Sequence, residues 1–123
     1  MINIEVDESY AFDYLSILQI KSELDLQNTV KLDNYINCLK ALRNQLDENL
    51  FLSIIGSQEY KACHTANLET FKAVDQAKDD SVPASFVDRA NYKRHIAKQG
   101  LQKKFFNSDL TEIKIGYEKY EGK

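Results

Sequence analysis

Apolar positions recur at helical spacing over most of the chain and alternate with polar ones only near its two ends. Leu32, Tyr35, Leu39, Leu42 and Leu46 follow steps of three and four residues, a coiled-coil-like seam. It runs for only about two heptads, so it suits a packed helical hairpin better than a free coiled coil. The same periodicity predicts helices near 9–24, 28–46, 58–78 and 84–106, with a short apolar segment, LFLSII, at 50–55. At the N-terminal end Ile2, Ile4 and Val6 alternate with polar partners, which reads as a short strand. Near the other end Ile113, Ile115 and Tyr117 share one face, with Glu112 and Lys114 on the other. Two isolated strands are marginal in water, so these are expected to pair with each other across the helical body or across a dimer axis. The predicted fold is mainly α: a single domain, 1–123, built as a bundle of three to four helices with a minor two-stranded β pairing of the termini.

Local signals refine the helix ends. Pro83 suits a helix entrance, and Ser85 and Asp88 have capping-box-like spacing, with Asp in place of Glu. Asn107 is placed to end that helix by turning left-handed. In the helix over 58–78, Tyr60, His64, Asn67, Phe71 and Val74 share a face that two polar residues interrupt. Asp75, Asp79 and Asp80 read as its solvated end. One Pro and four Gly leave little room for a turn-rich β-sandwich, and there is no internal repeat, low-complexity tract or interdomain linker.

Composition narrows the class. A hydrophobic share of 43% over 123 residues is that of a globular domain and too high for a disordered chain. The opening MINIEVDESYAF lacks the basic and apolar regions of a signal peptide, and no apolar run approaches the ~20 residues of a membrane span. Cys38 and Cys63 lie far apart with no CxxC, as expected of reduced cytoplasmic thiols.

Charge is distributed unevenly. Between Ala84 and Asn107, six Lys or Arg face one acid, so this segment stands at +5 and the remainder at −8 within a total of −3. At 100° per residue, Phe86, Val87, Ala90, Ala97, Leu101 and Phe105 form one apolar sector. Arg94 falls inside it, Asn91 and Lys98 along its edge, while Arg89, Lys103, His95, Tyr92 and Ile96 point away. Charge scattered in this way, on an acidic domain, is a poor grip for a phosphate backbone, and no affinity for DNA or RNA is expected.

The first helix carries the same anomaly. Asp13 and Lys21 lie among Tyr10, Ala11, Tyr14, Leu15, Ile17, Leu18, Ile20 and Leu24, with Ser16, Gln19 and Glu23 opposite. Eight residues separate the two charges by roughly 12 Å along the axis, too far for direct neutralisation. Asp13 therefore needs Arg94 or Lys98 as partner. Two readings follow: a buried ion-pair network that fixes helix docking, or a polar pocket for an anionic ligand.

INIEV…FDYLSILQIK resembles the N-terminal signature of a family of small uncharacterised bacterial proteins, a domain of unknown function. There a short strand leads into a helix with an Asp and an ILEIK-type run, here Ile17, Leu18, Gln19, Ile20 and Lys21. The family's Asn, Arg and Lys at steps of three and four are similar to Asn91, Arg94 and Lys98, and SDLTEIKIGY is similar to its C-terminal Ser-x-Leu-x-Glu-x-Lys end. The resemblance leaves about 25–80 uncovered. It implies Asp13, Lys21, Asn91, Arg94, Lys98, Glu112 and Lys114 as ligand-binding candidates.

Familiar catalytic signatures are missing from the chain. It has no Gly-rich phosphate loop, GxSxG, HExxH or paired CxxC, and no Glu-x-x-Glu sets like those of helical magnesium-dependent pyrophosphohydrolases. Cys63 and His64, being adjacent, cannot face one metal on a helix. No metal or cofactor is expected, and whether there is an enzymatic activity stays open. Two functions remain: a structural or interaction module acting as a homodimer or higher homo-oligomer in the cytoplasm, or a binding module or small enzyme for an anionic, phosphorylated or nucleotide-linked metabolite held between the helices over 9–24 and 84–106.

Overall fold

The computed structural model of the protein describes residues 2–79 and 82–111. These form five helices: α1 (Glu8–Leu24), α2 (Thr29–Gln45), α3 (Glu48–Ile55), α4 (Gln58–Lys78) and α5 (Ala84–Phe106). The predicted long helices appear within a residue of the expected bounds. The fifth comes from LFLSII, which is a helix in its own right. Its start is fixed by Asp47, whose carboxylate accepts the Leu50 N–H at 3.2 Å. Gly56 ends it, donating its N–H to the Leu52 carbonyl at 3.1 Å.

Short side chains cap the neighbouring helices as well. Asn28 accepts from the Val30 and Lys31 N–H groups at the start of α2, and Ser57 accepts from Tyr60 at the start of α4. Asn107 closes α5 in the left-handed conformation, φ 50 and ψ 40, with its N–H on the Lys103 carbonyl. The expected Ser85–Asp88 box does not form. The N-cap position is occupied by Pro83, which places Ser85 inside the first turn, past the point where a hydroxyl can cap.

α1 is the central helix, packed by α2, α4 and α5. Its buried positions, among them Ser9, Phe12, Asp13, Leu15, Ser16 and Leu18, go most of the way round it. Phe12 sits at the middle of the core, 6.2 Å between ring centroids from Phe51 and 6.1 Å from Tyr60, the latter edge-on. Leu15, Ile54, Cys63 and Leu101 complete the buried cluster. Tyr35, Leu39, Leu42 and Leu46 of the predicted seam pack on it from α2, while Leu32, at the seam's start, is exposed.

Residues 2–6 adopt no regular structure, and Ile2, Ile4 and Val6 are exposed; among the described residues there is no strand. The expected partner strand, with Ile113, Ile115 and Tyr117, lies outside the described residues. The two ends of the described chain nevertheless meet. The Thr111 N–H donates to Asp7 Oδ2 at 2.7 Å, and the Thr111 hydroxyl to the same oxygen at 3.0 Å. No helix among the described residues is long and apolar enough to cross a membrane.

Because Phe12 is fully buried at the meeting of α1, α3 and α4, Phe12→Ala should cost ~3–5 kcal/mol. Urea unfolding of the variant and parent measures the difference.

Candidate functional site

Ser9, Asp13 and Ser16 recur at steps of four and three along α1 and are all buried. They form a polar seam where apolar packing would be the simpler solution. Asp13, 7% exposed, accepts from Arg94 Nη2 at 2.9 Å and from Asn67 Nδ2 at 3.0 Å. Asn67 Nδ2 also donates to the Ser16 hydroxyl oxygen at 3.1 Å, and that hydroxyl lies 2.9 Å from His64 Nδ1. Arg94 Nη1 reaches Asn91 Oδ1 on its own helix at 3.2 Å. One carboxylate thus links α1, α4 and α5. Of the two partners expected for Asp13, Arg94 is the one bonded. Lys98 is buried one turn further on, with its ammonium 4.4 Å from the centroid of the Tyr10 ring, in cation–π geometry.

A second knot closes the N-terminal end of α1. Asp7, at the cap position, makes no side-chain cap bond; instead the Ser9 N–H donates to Gln102 Oε1 of α5 at 2.9 Å. A helix start leaves backbone donors unmet, and here a side chain 93 positions away supplies an acceptor. Gln102 Nε2 in turn donates to Glu8 Oε1 at 2.9 Å and to Ser108 Oγ at 3.1 Å.

Of the residues singled out by sequence, Asp13, Asn91, Arg94 and Lys98 lie along the α1–α5 contact. Lys21 is exposed and does not join the network. It lines a cleft of about 400 Å³ with Arg94, Lys78, Ile17, Phe71 and Asn67. Glu112 and Lys114 lie outside the described residues. Several orientations need correcting. His95 is buried rather than outward and Ser16 is fully buried rather than on a solvent side, while Tyr14, Leu24 and Phe86, placed in the apolar sectors, are exposed. A wheel that takes apolar residues to mark the dry side fails where a helix buries polar side chains, as α1 and α5 do. His64 and Asn67 left a trace in the sequence as interruptions of the α4 apolar face. Gln102 left none.

The Ser16–His64 pair has the donor and acceptor of an activated nucleophile, yet the hydroxyl has no exposure and no room for a substrate carbonyl. It is packing chemistry. Burial pushes the Cys63 thiol up to about 12; Asp13 adds to the effect, while Lys98 and Arg94 oppose it. Burial likewise raises Cys38 and Tyr35, and raises Tyr60 strongly. Neither cysteine has the depressed value of a reactive thiolate. Among the described residues no group of three His, Cys, Asp or Glu is arranged to hold a metal ion.

Asp13→Ala would strand Arg94 at the helix junction. A fully buried pair broken on one side costs ~3–5 kcal/mol; with the Arg94 side chain still 22% exposed, ~2–3 kcal/mol is expected by urea unfolding. The raised Cys63 value sets a second outcome. Its unfolded thiol ionises near 9.0 and its folded thiol near 12, so folding stability is full below about pH 9 and falls between the two. Unfolding measured across that range should show a shallower decline in Cys63→Ala than in the parent.

Similarity to known proteins covers 70% of the chain. No family model matches it, and no solved structure does. Type VII secretion system accessory factor EsaA of Staphylococcus aureus, in strains USA300, Newman and COL, is 26% identical to this chain over 86 residues. The match takes in 70% of this chain, which spans 8% of the length of those relatives.

Proposed function

We propose that the chain is a structural or interaction module, acting as a homo-oligomer in the cytoplasm, in which the buried charges serve to dock helices. The observation that carries this reading is the bonding of Arg94: its two terminal nitrogens are directed to Asp13 and Asn91, inside the protein. A guanidinium so held is a fastening between α1 and α5. Leu24, Leu26, Val30 and Leu32 support assembly. All four are exposed, Leu26 at 84%, along the end of α1, the turn and the first turn of α2. Large apolar side chains left in water over this stretch suit contact with another chain. The likeness to part of a secretion-system accessory factor agrees with a role inside a larger assembly. The Asp7–Thr111 contact draws the described ends together and supports pairing of the terminal segments, within one chain or across a dimer axis. The two free cysteines suit a reducing location.

One observation favours a second reading, a binding module for an anionic metabolite. Lys21, Lys78 and Arg94, from three helices, line the cleft beside Ile17 and Phe71, with Asp75 the one acid among its lining residues. Arg94→Met separates the two. As a fastening, its loss changes stability alone; as a ligand contact, its loss abolishes thermal stabilisation by phosphate or nucleotides in a protein that still folds.

Sedimentation at micromolar concentration tests the main reading. The parent should run as a dimer or larger, and Leu26→Glu with Val30→Glu should run as a monomer of unchanged helicity. A monomeric parent overturns self-assembly.

A further inference from the structure

The outer face of the α4–α5 hairpin carries a groove made of two adjoining clefts of about 490 and 380 Å³, which meet at Glu69 and Lys93. Gln58 and Ala97 lie at one end, Gln76 and Phe86 at the other, as antiparallel packing of the two helices requires. On α4 the lining residues run from Gln58 through Ala62, Thr65 and Glu69 to Gln76, a stripe at helical spacing. From 58 to 76 it is ~27 Å long at 1.5 Å per residue.

The chemistry of the groove is sorted by depth. Its floor is alanine, Ala66 and Ala90 buried and Ala97 half-buried, and the exposed Glu69–Lys93 pair crosses it midway, where an incoming helix must displace it. Two large apolar side chains stand exposed along it, Phe86 at 47% and Ile96 at 45%. Its rims are basic. Lys61, Lys72, Arg89 and Lys93 oppose one acid, Glu69, and only Lys93 has an ion pair with it, at a loose 3.8 Å on the surface. This net positive strip sits on a protein of formal charge −3. Such a field attracts an anionic partner and opposes pairing of this strip with the same strip on a second copy.

We propose that this groove receives an acidic amphipathic α-helix of a partner protein, with apolar residues seated on Ala66, Ala90, Phe86 and Ile96 and carboxylates against the lysine and arginine rims. The proposal rests on the interaction-module reading and names the class of partner. An alanine floor flanked by apolar anchors matches the ridge of a helix, which presents side chains at i, i+3, i+4 and i+7. A nucleic-acid backbone would use the rims and leave Phe86 and Ile96 in water.

A fluorescein-labelled peptide of about 18 residues, ~27 Å as a helix, with leucines at those spacings and glutamates beside them, is the probe. Titrated with the full chain, it should bind, gain helicity and bind more weakly as salt rises. Arg89→Glu with Lys93→Glu, all surface changes, should weaken it by about tenfold or more, and Ile96→Asp should do so separately. Circular dichroism confirms that both variants fold. No binding by the parent overturns the proposal. So does equal binding of a scrambled peptide with the same composition, which would show charge attraction without a helix seat. Tighter binding of a single-stranded oligonucleotide than of the peptide overturns it as well. Self-association read by sedimentation is unaffected by the groove variants, so failure here is distinct from failure of the assembly reading.

Discussion

A carboxylate buried on the central helix has to be neutralised where it stands, and the packing of this protein is arranged around that requirement. Asp13 is the one acidic side chain among the buried polar residues described. Its two oxygens are met by α4 through Asn67 and by α5 through Arg94. Neither bond survives a shift of one helix past another by a turn, because the seam residues are spaced at single turns along α1. The pair is thus better understood as setting the register of three helices than as a source of net stability, since desolvation offsets much of the attraction of a buried ion pair.

That register has consequences at both ends of the contact. With Arg94 and Lys98 turned inward on Asp13 and Tyr10, Gln102 is brought, two turns beyond Arg94, over the open start of α1, where it takes the Ser9 N–H. The inward turn of these residues also decides which cations remain outside. Arg89 and Lys93 face the far side of α5 together with Ile96, next to Lys61 and Lys72 of α4. The basic segment is therefore divided by its helix: one set of charges holds the fold together and the other is offered to solvent. The acidic balance of the rest of the chain gives the outer set its contrast.

The four long helices were legible in the sequence because periodicity, caps and breakers act within a few residues of each other, whereas α3, at eight residues, is too short for its period to show. Asn28, Ser57 and Asn107 perform at the helix ends what their side chains permit anywhere. Asp13 and Arg94 were legible too, since a charge among apolar neighbours at helical spacing is conspicuous without a structure. The choice between Arg94 and Lys98, the burial of Ser16 and His95, and the reach of Gln102 across 93 positions were not. Each depends on how many neighbours a helix has. A helical wheel takes apolar residues to mark the dry side, whereas α1 buries Ser9, Asp13 and Ser16 and leaves Tyr14 and Leu24 exposed. The sequence by itself determined the four long helices and the charges that had to find partners. The tertiary structure alone decided who those partners are, because burial and hydrogen bonding between distant segments are properties of the assembled helices and of no segment alone.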